Sequence, residues 1–123
     1  MQSPYKSKGG LARLYHALRY SMQGLASAFR HEAAFRQELV LAVALLPLAF
    51  WLSQSLFEAA LLIGALLFVL ITELLNSAVE AVADAVTLDD HPLIARAKDL
   101  GSAAVLLAIV LAVLIWASVI WGL

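Results

Sequence analysis

The sequence contains no cysteine, so neither a disulfide nor a thiolate metal site can brace the fold or carry its chemistry. It has no lysine or arginine between Gln37 and Ala95 and none after Lys98, and its formal charge of −1 argues against nucleic acid as a partner. No G-x-x-x-x-G-K-[ST] loop, G-x-G-x-x-G loop or H-x-x-x-H zinc pair occurs, which removes the usual nucleotide and metal signatures and excludes the soluble kinase folds. The amino-terminal region lacks a continuous apolar core followed by a small-residue cleavage site, so no cleavable signal peptide is expected. Charged residues make up only 14% of the chain while 63% are hydrophobic. A soluble domain of 123 residues has too little interior to hide that much apolar side chain, whereas a bilayer asks only for about 20 apolar residues per span. The expected class is an all-α integral membrane protein with a single domain over residues 1–123.

Residues 1–10, with Ser, Pro, Lys and paired glycines, suggest a flexible leader. Over residues 11–31, Leu14, Leu18, Met22, Leu25 and Phe29 recur at three- or four-residue steps while Arg13, His16, Arg19, Gln23 and Arg30 point elsewhere. That pattern predicts an amphipathic helix lying on the membrane surface, its cations suited to lipid head groups. A helix packed on a soluble domain would need a soluble domain, and none is present. The polar segment His31 to Glu38 follows, where Glu32 and Arg36 would be i, i+4 neighbours if the helix continues; on the residues alone it is a solvated approach to the bilayer.

Three spans are expected: 32–57, whose uncharged run Leu39 to Phe57 contains Pro47 and a kink; 58–86; and 93–123, with a cytoplasmic lead-in at Arg96, Lys98 and Asp99. Ser53-Gln54-Ser55 forms a polar turn beside Trp51. Gly64, Ala78, Ala81 and Ala85 suggest close helix approach on span two, as does Gly101-Ser102-Ala103-Ala104 on span three. The acidic loop Thr87 to Pro92 holds His91, taken alone a solvated loop histidine. Basic residues place the amino terminus and the loop around Asp89 to Asp99 in the cytoplasm, with the Ser53 turn and carboxyl terminus outside.

Against this frame one stretch stands out. Between Ile71 and Asp84, polar groups interrupt the apolar run, and Glu73, Asn76, Ser77, Glu80 and Asp84 fall on one helical stripe. Glu73 and Glu80 would be about 10.5 Å apart along the axis, close enough to line one pocket. Ionisable groups inside a span are costly and mark function. The topology puts eight of the nine acids on the cytoplasmic side, leaving Glu58 outside. Carboxylates, a lysine and an arginine at a water boundary can hold Mg²⁺ with phosphate oxygens as co-ligands, and phosphoryl transfer asks for little beyond positioning, charge neutralisation and one base.

The segments Glu32-Ala33-Ala34-Phe35-Arg36-Gln37-Glu38, Glu73 to Asp84 with its E-L-L-N-S-A-V-E core, and Arg96-Ala97-Lys98-Asp99-Leu100-Gly101-Ser102-Ala103-Ala104-Val105 closely resemble the prokaryotic diacylglycerol kinase family, over about residues 13 to 121. The resemblance implies a homotrimer of three-span subunits in the bacterial inner membrane, with active sites shared between neighbours and a lipid alcohol phosphorylated from MgATP. It implies Glu73 as catalytic base with Asn76 orienting groups beside it, and Glu32 and Glu80 as Mg²⁺ ligands. Nucleotide contacts would come from Arg13, Tyr20, Glu32, Glu80, Asp89, Asp90, His91, Lys98 and Asp99. The lipid site would draw on Arg13, the surface helix around Tyr20 and Ser21, Arg36, Glu38, Trp51, Glu73, Ser102 and Trp116. Met22 stands where family members carry Trp, and the 87–92 loop resembles theirs only at Asp89 and His91.

Diacylglycerol is the expected acceptor, for the long basic surface helix and the overall likeness, with undecaprenol kinase as the nearest rival. A different class of function is an oligomeric proton or cation pathway through Glu73, Glu80 and Asp84, but Ala59 to Ile71 supplies no ionisable continuation. A third is a structural scaffold whose acids pair with Arg and Lys. Asp84 keeps two readings: partner of a cation, or polar end of the helix.

Overall fold

The computed structural model describes residues 9–122, and every regular element in them is helical. Four helices follow in order: α1 (Gly10–His31), α2 (Ala33–Leu52), α3 (Leu56–Val86) and α4 (Pro92–Trp121). The last three are long and apolar enough to cross a bilayer. The leader expected over residues 1–10 lies outside the described residues except for Gly9 and Gly10, and Gly10 already opens α1.

Each break between helices has a local cause. A single residue, Glu32, separates α1 from α2; its backbone is extended (φ −113°, ψ 103°), yet its N–H still donates to Ala28 O and its carbonyl accepts from Arg36 N. Glu32 therefore closes one helix and opens the next. The i, i+4 backbone bond between Glu32 and Arg36 is kept, but among the described residues their side chains form no ion pair. The Arg36 guanidinium turns back to the carboxyl end of α1, donating to Phe29 O at 2.8 Å and Arg30 O at 3.0 Å, where a cation satisfies carbonyls that α1 leaves open. At the next turn Ser55 Oγ accepts from Glu58 N, and Glu58 Oε1 accepts from Gln54 N, a reciprocal cap that starts α3 at Leu56, two residues before Glu58. At the last turn Thr87 Oγ1 accepts from Asp89 N, His91 Nδ1 accepts from Leu93 N, and Pro92 takes the first turn of α4, where no N–H is missed. Helix α2 runs unbroken through Pro47.

Helix α3 is the centre of the bundle, packed most extensively on α4 and next on α2, while α1 reaches the bundle chiefly through α2. The buried positions are mostly small: Ala42 and Ala49 of α2, Ala59, Ala65 and Ala83 of α3, Ala108 of α4, with Leu62 and Phe35 among the few large ones. Small side chains let helix axes approach, the dominant attraction available when lipid is as apolar as leucine. Three contacts fix α4 antiparallel to α3. Asp84 meets Lys98, Asn76 meets Gly101, and Leu62 meets Trp116, whose indole N–H donates to the Leu62 carbonyl at 3.2 Å. Of the glycines expected to allow close approach, Gly64 has open space where a Cβ would stand, whereas a Cβ on Gly101 would overlap Asn76 Oδ1. Close approach inside the chain is made at Gly101 because it faces the amide of α3.

The outward faces stay apolar. On α1, Leu11, Leu14, Leu18, Met22, Leu25 and Phe29 are 42–86% exposed. Among the described residues that stripe stays largely uncovered, which suits a helix laid on lipid.

Candidate active site

The beginnings of α2 and α4 and the end of α3 share one end of the bundle, and the acids other than Glu58 collect toward it. Glu73 is 7% exposed, the most deeply placed charged side chain among the described residues. It lies beside Thr72, whose hydroxyl donates to Phe68 O at 2.7 Å and so makes no claim on the carboxylate. Glu80 and Glu32 are within electrostatic reach of Glu73, and so is Glu38 from α2. Like charges gathered in a low-dielectric setting repel, which makes the cluster a place that favours cations.

Asn76 sits between the two α3 carboxylates. Its Nδ2 donates to Glu80 Oε1 at 3.0 Å, orienting that carboxylate, while its Oδ1 is buried against Gly101 with no hydrogen-bond partner among the described residues. One helical turn beyond Glu80, Asp84 Oδ1 receives the Lys98 ammonium at 2.7 Å. Asp84 is therefore the partner of a cation, which decides between its two readings. Among the described residues this is the ion pair the chain makes; Glu32, Glu38, Glu73 and Glu80 have no cation of their own. A scaffold of internally paired acids does not match that arrangement.

A groove of about 590 Å³ runs between α1 and α3, lined by Ser21, Ala28, Glu32, Ser77 and Ala81 among others. It brings Ser21 and Glu32 to the flank of the α3 stripe, with Ser77 next to Asn76. Ser77 was legible from its place on the stripe, whereas the contact made by Gly101 needed the helix pairing. Glu38 lines an apolar cavity of about 260 Å³ with Leu41, Ala42, Leu66, Leu70 and Ile109, and its Oε2 is buried without a hydrogen-bond partner among the described residues.

The remaining expected residues scatter. Asp99 and Ser102 lie exposed on α4 beside Lys98 and Gly101. Asp89, Asp90 and His91 are exposed in the loop, and His91 uses Nδ1 for its helix cap. Tyr20 is half-buried on α1 and stacks with His16. Arg13 lies nineteen positions before Glu32, about 28 Å along α1, and is not brought to Glu73 within one chain. Trp51 is 80% exposed at the end of α2, and Trp116 meets Leu62, about 16 Å along α3 from Glu73.

The donor set suits Mg²⁺ only in part: among the described residues no group of three or more acids and histidines converges as a metal cage. Glu32 and Glu80 can offer one or two hard oxygens, and Mg²⁺ is commonly held that way when phosphates complete the shell.

Comparison with known proteins gives the same direction. The family model for prokaryotic diacylglycerol kinase matches residues 19–120. The chain is 49% identical over 120 residues to a diacylglycerol kinase of Pseudomonas aeruginosa, covering 98% of each protein. It is 46% identical over 113 residues to one of Escherichia coli, covering 92% of this chain and 93% of that one. A Helicobacter pylori diacylglycerol kinase is 41% identical over 113 residues, covering 92% of this chain and 88% of its own. A bundle of three membrane-length helices with a buried glutamate at one end, matched by this family over most of its length, belongs to the prokaryotic diacylglycerol kinase family.

Proposed function

We propose that this protein is an ATP-dependent diacylglycerol kinase that makes phosphatidic acid at the cytoplasmic face of the bacterial inner membrane. One observation carries the mechanism: a buried glutamate, Glu73, within electrostatic reach of Glu32 and Glu80 at one end of an apolar bundle. The diacylglycerol acceptor is supported by the relatives, which carry that name.

Glu73 takes the proton of the lipid hydroxyl as its oxygen bonds to the γ-phosphorus and the bond to the leaving ADP oxygen breaks. Asn76, through its bond to Glu80, keeps that carboxylate turned to the same side. Glu32 and Glu80 would hold Mg²⁺, which when bound neutralises phosphate charge. Lys98 and Asp99, with Arg13, Tyr20, Asp89, Asp90 and His91, contact the nucleotide. Ser21, Arg36, Glu38, Ser102, Trp51, Trp116 and Arg13 border the lipid, whose chains run along the bundle toward the two tryptophans.

Arg13 and Glu73 are remote within one chain, and a homotrimer with shared sites lets a neighbour supply the missing contacts. The basic residues before α2 and those at the start of α4, at the same end of the bundle as the acid cluster, support a cytoplasmic site and amino terminus.

The test is ATP-dependent labelling by the purified protein in detergent, with diacylglycerol and undecaprenol offered side by side and a Glu73→Gln variant beside the wild type. Labelled phosphatidate, lowered 10²- to 10⁴-fold in the variant, is expected. Transfer to undecaprenol alone would reassign the acceptor, and near wild-type turnover by Glu73→Gln would remove the base.

A further inference from the structure

We propose that Asp84 is a positioning residue that holds the Lys98 ammonium away from Glu80, so that the lysine stays free for nucleotide phosphate and the glutamate for metal. The proposal deepens the kinase reading and rests on it.

Lys98 faces two carboxylates on one stripe of α3, Glu80 and Asp84, one helical turn apart. It contacts Asp84 Oδ1 at 2.7 Å and only feels Glu80 through space. Glu80 Oε1 is instead engaged by Asn76 Nδ2, a neutral donor that orients the carboxylate without cancelling its charge. A lysine bound to Glu80 would neutralise a metal ligand and lose its own charge to the protein at the same time. Asp84 prevents this at low cost: both partners remain about half exposed, at 43% and 48%, so the pair is loose enough for a phosphate to take up the ammonium's other donors. The antiparallel register keeps the arrangement, because Gly101 pressed on Asn76 one turn along α4 sets which α3 residue Lys98 meets.

The experiment is steady-state kinetics of purified full-length Asp84→Asn, Asp84→Glu, Lys98→Met and the Asp84→Asn/Lys98→Met double variant, titrating ATP and Mg²⁺ separately, with thermal melting followed by circular dichroism. Asp84→Asn is expected to raise the KM for ATP and the Mg²⁺ needed for half-maximal rate by about threefold each, at unchanged melting and with kcat little altered, and Asp84→Glu to restore both. The double variant should be no worse than Lys98→Met, because Asp84 acts through Lys98. Penalties that multiply in the double variant, or loss of melting temperature without a change in either titration, would overturn the positioning role. If Lys98→Met itself leaves the KM for ATP at the wild-type value, the nucleotide role of Lys98 fails and the proposal with it. A raised KM in Lys98→Met beside an unaffected Asp84→Asn would sink the proposal alone.

Discussion

Substituting Gly101 by alanine asks whether the closest approach of α3 and α4 governs the chemistry. The added Cβ would overlap Asn76 Oδ1 and stand 3.3 Å from Asn76 Cγ, while the Asn76 Cα, at 3.9 Å, is in ordinary contact. The clash therefore falls on the side chain, and relief comes from rotating the amide or backing α4 away. Overpacking of this kind costs about 1–3 kcal/mol. Alanine returns roughly 1 kcal/mol of helix propensity relative to glycine, so the net loss of stability is expected to be about 0–2 kcal/mol. The larger effect is functional. Rotating the amide breaks the Nδ2–Glu80 hydrogen bond, which on an exposed helical i, i+4 pair stabilises little by itself, and frees Glu80 to turn from the site. Turnover in detergent micelles is expected to fall about tenfold or more, with the Mg²⁺ titration shifted to higher concentration. Gly64→Ala, where a Cβ meets open space, is the control and should leave turnover unchanged. Wild-type turnover and Mg²⁺ dependence in Gly101→Ala would refute the argument that this contact orients Asn76.

Arg36→Gln removes the donor to Phe29 O and Arg30 O, and should speed hydrogen exchange of residues around Ala28 to Glu32, with about 1 kcal/mol of local stability lost at this exposed joint; unaltered exchange there would refute the capping role. Trp116→Phe keeps an aromatic, apolar side chain but deletes the N–H bonded to Leu62 O and the rest of the five-membered ring, so a loss of at least about 0.5–1.5 kcal/mol in detergent unfolding is expected with turnover changed less than twofold; a tenfold drop would mean the indole N–H touches substrate. Chelation of Mg²⁺ should stop phosphoryl transfer reversibly, and Glu80→Gln should raise the Mg²⁺ needed for half-maximal rate about tenfold; an unchanged titration would count against Glu80 as a ligand.

The sequence by itself determined the membrane class, the amphipathic α1, three apolar spans and the polar stripe on α3, because these follow from local periodicity and from the cost of ionisable groups in lipid. The E-L-L-N-S-A-V-E run also carried the family resemblance that the comparisons then showed. Tertiary structure decided what periodicity cannot encode, namely which residue of one helix meets which residue of another. Only the α3–α4 register gave Asp84 its cation, put Gly101 rather than Gly64 at the close contact, and turned Trp116 to a backbone carbonyl far from Glu73. Only the one-residue break at Glu32 diverted Arg36 from an ion pair to the end of α1. Spacing along a helix predicts a face; whether that face meets lipid, a carboxylate or a neighbouring amide depends on how whole helices pack, and that is a property of the folded bundle.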